Sequence, residues 1–266
     1  MRNLKSISFV ALLLTASPAF ARGFGGSGGN ESMNLLSIGA GIASPSVTSA
    51  LGENPAGLVS NETPKLLGVI STENNSWDPL GYGGFFFTGN GAVGAGIGVQ
   101  NYSGAASGSA LQFGVAAEIT QIATTIGASG SYALSNGVSD RFGADLGLQF
   151  NSRGPFKVGL AAFNVNGGVD SFGAGLSYDA NTNARIVIDG SVNNDFKGLR
   201  LKPALGITVQ KFQITYGYGI DVSKDATSFI RTGSALGLGY EFAQSFQLQG
   251  YYNQIAKYYV AGMFRF

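Results

Sequence analysis

The hydrophobic and polar residues of this chain alternate with a period of two over most of its length beyond residue 64. The C-terminal segment Tyr258–Phe266 shows the pattern most simply, because Val260, Phe264 and Phe266 fall on one face and Arg265 falls on the other. Successive side chains of a β-strand point to opposite faces, so this period predicts strands.

The same period repeats in fourteen segments. Most of them have about the 9–11 residues that cross a membrane as a tilted strand. Twelve strands are the alternative, if two segments merge or the first lies outside the sheet. The predicted strands cover residues 65–72, 80–88, 91–101, 108–117, 121–133, 140–150, 156–163, 171–179, 183–192, 198–209, 211–221, 232–242, 245–254 and 257–266.

The two faces of these strands differ in chemistry. One face carries large apolar and aromatic residues, and the other carries glycine, small polar residues and the charges. In a secreted sandwich the apolar face would be the core, but the polar face has too much glycine and too little charge for a water-exposed surface. The pattern therefore favours an all-β fold, a transmembrane antiparallel β-barrel whose apolar face meets lipid and whose polar face lines the lumen.

The charged residues of the polar face are the candidates for chemistry inside such a lumen. We interpret them as cross-strand ion pairs and hydration groups; a selectivity lining or a hydrolase site is the alternative. The residues assigned to the lumen are Glu118, Asp145, Lys157, Asp179, Arg185, Asp189, Arg200, Lys202, Lys211, Asp221 and Glu241.

The segment before the strands has a different composition. Residues 1–21 combine basic Arg2 and Lys5, a short apolar run and an Ala-x-Ala end, which predicts a secretory signal peptide. Residues 22–64 begin with a glycine-rich linker and continue as an irregular, small-residue stretch. They are expected to form a periplasmic extension or a plug inside the barrel, which occupies residues 65–266.

Composition narrows the function classes. Glycine accounts for 42 of 266 residues, well above the usual share of about 7%. The chain has no Cys and no His, which removes disulfides, thiolate metal sites and the commonest catalytic base. Without the signal peptide, 14 basic residues face 15 acidic ones, which gives no sign of a nucleic-acid partner. We expect no enzyme activity, no cofactor and no metal.

One short segment carries a family resemblance. Just before the first predicted strand the chain reads Asn54, Pro55, Ala56, Gly57, Leu58. This segment resembles the FadL-type outer-membrane transporters of long-chain fatty acids and other hydrophobic compounds, and the PorV-type barrels of secretion systems share it. The FadL resemblance implies a fourteen-stranded barrel with an N-terminal plug, to which these five residues belong and at which ligand is held.

Two further expectations concern the last strand and the wall of the barrel. The alternating residues Tyr258, Val260, Phe264 and Phe266 resemble the signal read by the barrel-assembly machinery, an expected partner. In the family, ligand leaves sideways through a gap beside a kinked strand. Here the outward loops are shorter than the family's, and the glycines that would permit the kink are Gly81, Gly83, Gly84, Gly94, Gly96 and Gly98.

Three functions remain open at this point. The chain passes or holds hydrophobic molecules, or it is a structural or assembly barrel that binds lipid or other barrels, or it is a narrow polar pore. Each places it in the outer membrane of a Gram-negative bacterium with lipid as a partner. Small outward residues such as Ala95 and Ala128 leave a homo-oligomer open as well.

Overall fold

The computed structural model describes residues 41–45, 50–60, 62–73, 79–102, 108–135, 138–194, 196, 198–223, 229–243, 245–253 and 257–266. The predicted signal peptide, residues 1–21, and the predicted linker, residues 22–30, lie outside this part of the chain. Within it, no helix is long and apolar enough to cross a membrane.

The described residues form fourteen β-strands and two short 3-10 helices, at Pro55–Ser60 and Thr120–Ile122. The strands are β1 Lys65–Glu73, β2 Pro79–Gly89, β3 Val93–Tyr102, β4 Gly108–Ile119, β5 Thr124–Ser135, β6 Val138–Phe150, β7 Phe156–Phe163, β8 Ser171–Asn181, β9 Ala184–Asn193, β10 Gly198–Val209, β11 Phe212–Ser223, β12 Phe229–Ala243, β13 Phe246–Asn253 and β14 Lys257–Arg265.

The strands close into one antiparallel barrel in sequence order. β1 pairs with β14 from Lys65 opposite Arg265 to Glu73 opposite Lys257, so the sheet has no free edge. Closure satisfies the backbone groups that an open sheet edge would leave unpaired, which a lipid environment requires. The predicted barrel of fourteen strands is confirmed.

The outside of the barrel is apolar. Large side chains on alternate positions project outward, for example Ile186 and Ile188 at 48% and 50% exposure, whereas Val187 between them is 2% exposed. The same alternation runs through β8, whose Phe172, Leu176 and Tyr178 are exposed. The apolar face therefore lies outside, as the period of two predicts.

Pro203 interrupts one ladder, as its missing N–H predicts. β10 pairs with β11 up to Leu201 opposite Ile220 and again from Ala204 opposite Gly217, with no pairing at Lys202 and Pro203. A second irregularity was not predicted. β6 pairs with β7 only from Leu146 to Phe150, although β6 begins at Val138.

Candidate functional site

Residues 41–45 and 50–60, here called the inner segment, lie against the inner face of the barrel wall. All of them except Ser60 are buried. The 3-10 helix of the segment packs against β2, β3, β4, β5 and β6. The inner segment is thus held against the wall on its lumen side.

Glycines on the inner face make this close packing sterically feasible. A Cβ atom at Gly94 would overlap the backbone of Leu58, and one at Gly127 would overlap the backbone of Pro55. A Cβ at Gly159 would overlap the Ile42 carbonyl group. The glycine-rich lumen face that the sequence shows is therefore filled, in this region, by main chain.

The Asn54 side chain links the two stretches of the inner segment to each other and to β6 of the wall. Its side-chain Nδ2 donates to the Ile42 carbonyl at 2.6 Å and to the Leu148 carbonyl of β6 at 3.0 Å, and its Oδ1 accepts from the Ala56 N–H at 3.1 Å. The residue is fully buried. An amide side chain supplies this combination of donors and acceptor, which an apolar residue at the position would lose.

The rest of the Asn54–Leu58 motif builds the turn around that amide. The Gly57 N–H donates to the Asn54 carbonyl at 3.1 Å, and the helix starts at Pro55. Gly57 is not among the described glycines with positive φ. A Cβ there would lie 2.6 Å from Pro45 Cβ, so close contact rather than backbone conformation accounts for the glycine.

Three further polar side chains of the wall hold the segment. Asp189 of β9 accepts from the Ile42 N–H at 3.1 Å and the Ala43 N–H at 3.3 Å. Gln149 of β6 donates to the Ala43 carbonyl at 2.9 Å. Lys202 of β10 forms an ion pair with Glu53 at 3.3 Å. One side of the inner segment is therefore anchored by directed hydrogen bonds and one ion pair.

The other side of the segment packs into an apolar cluster inside the barrel. Phe85 and Phe87 of β2 are buried, their rings 6.3 Å apart, and Leu67 of β1 and Leu58 of the segment join them. Here the expectation of a polar lumen face is wrong. The signal is in the sequence, because Phe85, Phe86 and Phe87 are consecutive, and such a run predicts a strand that is apolar on both faces.

Most predicted lumen charges face charged partners or the segment. Asp179 pairs with Lys157 at 2.8 Å and with Arg185, Glu118 pairs with Arg153, and Glu241 lies 3.6 Å from Arg265. The Asp145 carboxylate accepts from the Asn164 N–H at 2.8 Å. These contacts suit the interpretation of the charges as cross-strand pairs.

For the other three predicted lumen residues, the position of the backbone is described. Lys211 lies in the exposed turn between β10 and β11, two residues before half-buried Gln213, and its assignment to the lumen stays a prediction. Arg200 and Asp221 are opposite each other in the β10–β11 register. Their side chains lie outside the part of the chain whose burial is described.

The glycines predicted to form a lateral gap lie in a continuous ladder. β2 and β3 pair without a register shift from Gly81 opposite Tyr102 to Gly89 opposite Gly94, which includes Gly83, Gly84, Gly96 and Gly98. A gap at these residues would require that ladder to separate. The lateral gap therefore stays a prediction.

The part of β6 that precedes the short β6–β7 ladder is covered by a loop instead of a strand. Asn166 Nδ2 donates to the Phe142 carbonyl at 2.9 Å, and Asn166 Oδ1 accepts from the Ala144 N–H at 2.8 Å. The Val165 N–H donates to the Ala144 carbonyl at 2.7 Å. One side-chain amide thus takes the place of a neighbouring strand along this edge of β6.

The C-terminal residues of the predicted assembly signal face outward where they are described. Val260, Phe264 and Phe266 are 49%, 48% and 73% exposed. The side chain of Tyr258 lies outside the described set. Recognition by the assembly machinery stays a prediction, and among the described residues no group of three or more acidic side chains is placed to hold a metal ion.

No protein-family profile and no curated protein sequence matches the chain. Several solved structures do. The P. putida toluene transporter TodX has a TM-score of 0.63 and 11% identity, over 86% of this chain and 99% of TodX. The CymD monoaromatic hydrocarbon channel has a TM-score of 0.61 and 12% identity, over 88% of this chain and 98% of CymD.

A third solved structure extends the comparison. The Acinetobacter baumannii outer membrane protein Omp33 has a TM-score of 0.52 and 12% identity, over 77% of this chain and 98% of Omp33. At such identities the similarity concerns the fold. The chain has the porin-like, closed β-barrel fold of outer-membrane channels.

Proposed function

We propose that this protein is an outer-membrane barrel of a Gram-negative bacterium that passes or holds hydrophobic molecules, and that the inner segment acts as its plug. The observation that carries the proposal is the apolar cluster on the lumen side of β1 and β2. A water-filled pore is lined by polar residues. Buried Leu67, Phe85 and Phe87 instead offer an apolar surface inside the wall.

The plug is proposed from how the segment is held. Apolar packing fixes Leu51 and Leu58 on one side, and Asn54, Asp189 and Lys202 fix the other. If the segment shifted from Phe85 and Phe87, it would uncover apolar surface for a ligand. The ligand class is thus fatty acids or other lipid-like compounds, and the toluene and monoaromatic hydrocarbon channels of similar fold support it.

Uptake by cells tests this function. The full chain is expressed in a Gram-negative host that lacks its own outer-membrane fatty-acid transporter, and entry of radiolabelled oleate is measured. We expect faster entry than with the empty vector, and a reduced effect for Phe87→Gln, which places an amide in the apolar cluster. Oleate entry equal to the empty vector, with the barrel folded in the outer membrane, would contradict the proposal.

A narrow polar pore is the second candidate, because the inner face of β11–β13 is polar. Gln213 Oε1 accepts from Gln247 Nε2 at 3.3 Å and from Gln249 Nε2 at 3.4 Å, and Thr215 lies on the same face of β11. Bilayer conductance separates the candidates. Steady ionic conductance by the wild-type chain without oleate uptake would favour the pore.

A further inference from the structure

A shallow groove lies on the outside of the barrel, opposite the surface that holds the inner segment. Two rows of outward-facing residues line it, and each row follows the strand register from β6 towards β10. The first row is Leu148, Leu160, Ala174 and Gly190, and the second is Leu146, Ala162, Phe172, Val192 and Leu199. Ala162, Ala174 and Gly190 are the small members, so the surface sinks where they lie.

The groove is large enough for a ligand. Its volume is about 530 Å³, within the roughly 300–1,000 Å³ of small-molecule pockets, and its lining is almost entirely apolar. Leu160 and Phe172 stand at its margin, each 41% exposed. The site is therefore defined by a depression, an apolar lining and raised apolar margins, and not by small residues alone.

The lumen side of this wall is occupied. A Cβ at Gly173 would lie 2.5 Å from Ile42 Cδ1, and one at Gly159 would overlap the Ile42 carbonyl group. The inner segment therefore fills the barrel behind the groove. Whatever enters the groove comes from the surroundings of the barrel and not from its lumen.

We propose that this groove binds one acyl chain of a membrane lipid. The outward apolar face of such a barrel meets hydrocarbon, so hydrocarbon is the chemistry that surrounds the groove. A single flexible chain is thin enough to follow the depression over Ala162 and Ala174, which lie opposite Phe172 and Leu160. The wall of a second barrel would rest on those protruding side chains and leave an unfilled void above the small residues, which loses dispersion contacts. The site is separate from the proposed lumen path.

Native mass spectrometry of the purified full barrel tests the site. The probe is palmitoyl-oleoyl phosphatidylethanolamine, added after delipidation in a mild detergent. We expect the wild-type barrel to retain one lipid. In the double variant Ala162→Leu/Ala174→Leu, added side chains occupy the floor, and retention is expected to fall about tenfold.

Gly84→Leu is the matched control, because Gly84 is also exposed on the outer face and a Cβ there meets no atom within 4 Å. It is expected to retain the lipid like wild type. The proposal would be overturned if the double variant retained the lipid as well as the wild type, or if all three proteins lost it. So would a wild-type dimer that carries no lipid, since a second copy would then cover the groove.

A second measurement on the unaltered chain covers the case in which the double variant does not fold. The same phospholipid with a photoreactive diazirine on its acyl chain is crosslinked to the wild-type barrel in bilayers. We expect the crosslinks to concentrate on β7 and β8 around Leu160, Phe172 and Ala174. An even spread around the outer face would overturn the proposal. Neither experiment depends on transport, so the site and the proposed function fail separately.

Discussion

Individual glycines determine how closely the inner segment approaches the wall. At Gly94, Gly127 and Gly159 there is no room for a Cβ, whereas a Cβ at Gly68, on the outer face of β1, meets nothing within 4 Å. Glycine weakens a strand by its conformational entropy, and that cost is accepted where a second backbone comes close. The role of a glycine in this barrel therefore depends on its face.

Gly94→Ala tests this difference. The added methyl group overlaps the Leu58 backbone, so we expect the inner segment to lose about 1–3 kcal/mol of packing and to become accessible. Limited proteolysis of the folded barrel by proteinase K measures that accessibility. Gly68→Ala is the control and should leave the protection unchanged; equal protection in both variants would contradict the account.

Asn54 is the second residue with an effect of its own. Asn54→Ala removes the donor to the buried Ile42 carbonyl and a second donor to the Leu148 carbonyl, and an unpaired buried group costs about 1–3 kcal/mol. We expect faster cleavage within the inner segment while the barrel stays folded, as judged by heat-modifiable gel mobility.

The control for Asn54 lies in a turn. Asn90 Oδ1 accepts from the Ala92 and Val93 N–H groups in the exposed turn between β2 and β3. Asn90→Ala should leave the inner segment as protected as in the wild type. If the inner segment stayed protected in Asn54→Ala and lost protection only in Asn90→Ala, the segment would not be held by Asn54.

At the scale of the element, strands were predictable because each apolar face is continuous. The predicted and observed spans agree within a few residues. The connection between the predicted strands 211–221 and 232–242 is shorter in the structure, because β11 continues to Ser223 and β12 begins at Phe229. Strand pairing extends past the residues at which the apolar and polar positions stop alternating. That alternation is the signal from which the sequence predicts the strand ends.

Contacts between distant residues were not predictable. The anchors of the inner segment join Ile42 to Asp189 and Glu53 to Lys202. No local pattern indicates such pairs, and the interpretation of residues 22–64 stayed divided between plug and extension. The five residues of the family resemblance mark the turn at Asn54–Leu58, but nothing in them indicates the Leu148 carbonyl that Asn54 contacts on β6.

Asn166 is predicted to keep the wall closed where β7 no longer pairs with β6. Asn166→Ala removes the donor to the Phe142 carbonyl and the acceptor for the Ala144 N–H. Hydrogen exchange at the Ala144 amide is expected to speed up by about tenfold or more, since one hydrogen bond contributes on the order of 1 kcal/mol and the loop is then free to separate.

Asn181→Ala serves as the comparison for that variant. Asn181 Oδ1 accepts from the Asn183 N–H in the exposed turn between β8 and β9, away from the edge of β6. Its loss should leave exchange at Ala144 unchanged. If Asn166→Ala also left it unchanged, the loop would close the wall without the help of that side chain.

At the scale of the whole molecule, the inner segment packs against the inner face of β2–β10. Deletion of residues 41–60 would remove the inner segment, which fills the lumen beside β2–β9, and it leaves out no residue of the fourteen paired strands. We expect the deletion variant to show higher ionic conductance in planar bilayers than the intact chain. Equal conductance would contradict the proposed role of the segment as a plug.

The central claim is that alternate positions of each strand face hydrocarbon and the barrel interior. Because the chain has no Cys, single cysteines placed along β9 at positions 186 to 189 can carry a spin label without background. In bilayers, collision with dissolved oxygen should be high at Ile186 and Ile188 and low at Val187 and Asp189. Equal oxygen accessibility at all four positions would contradict this arrangement.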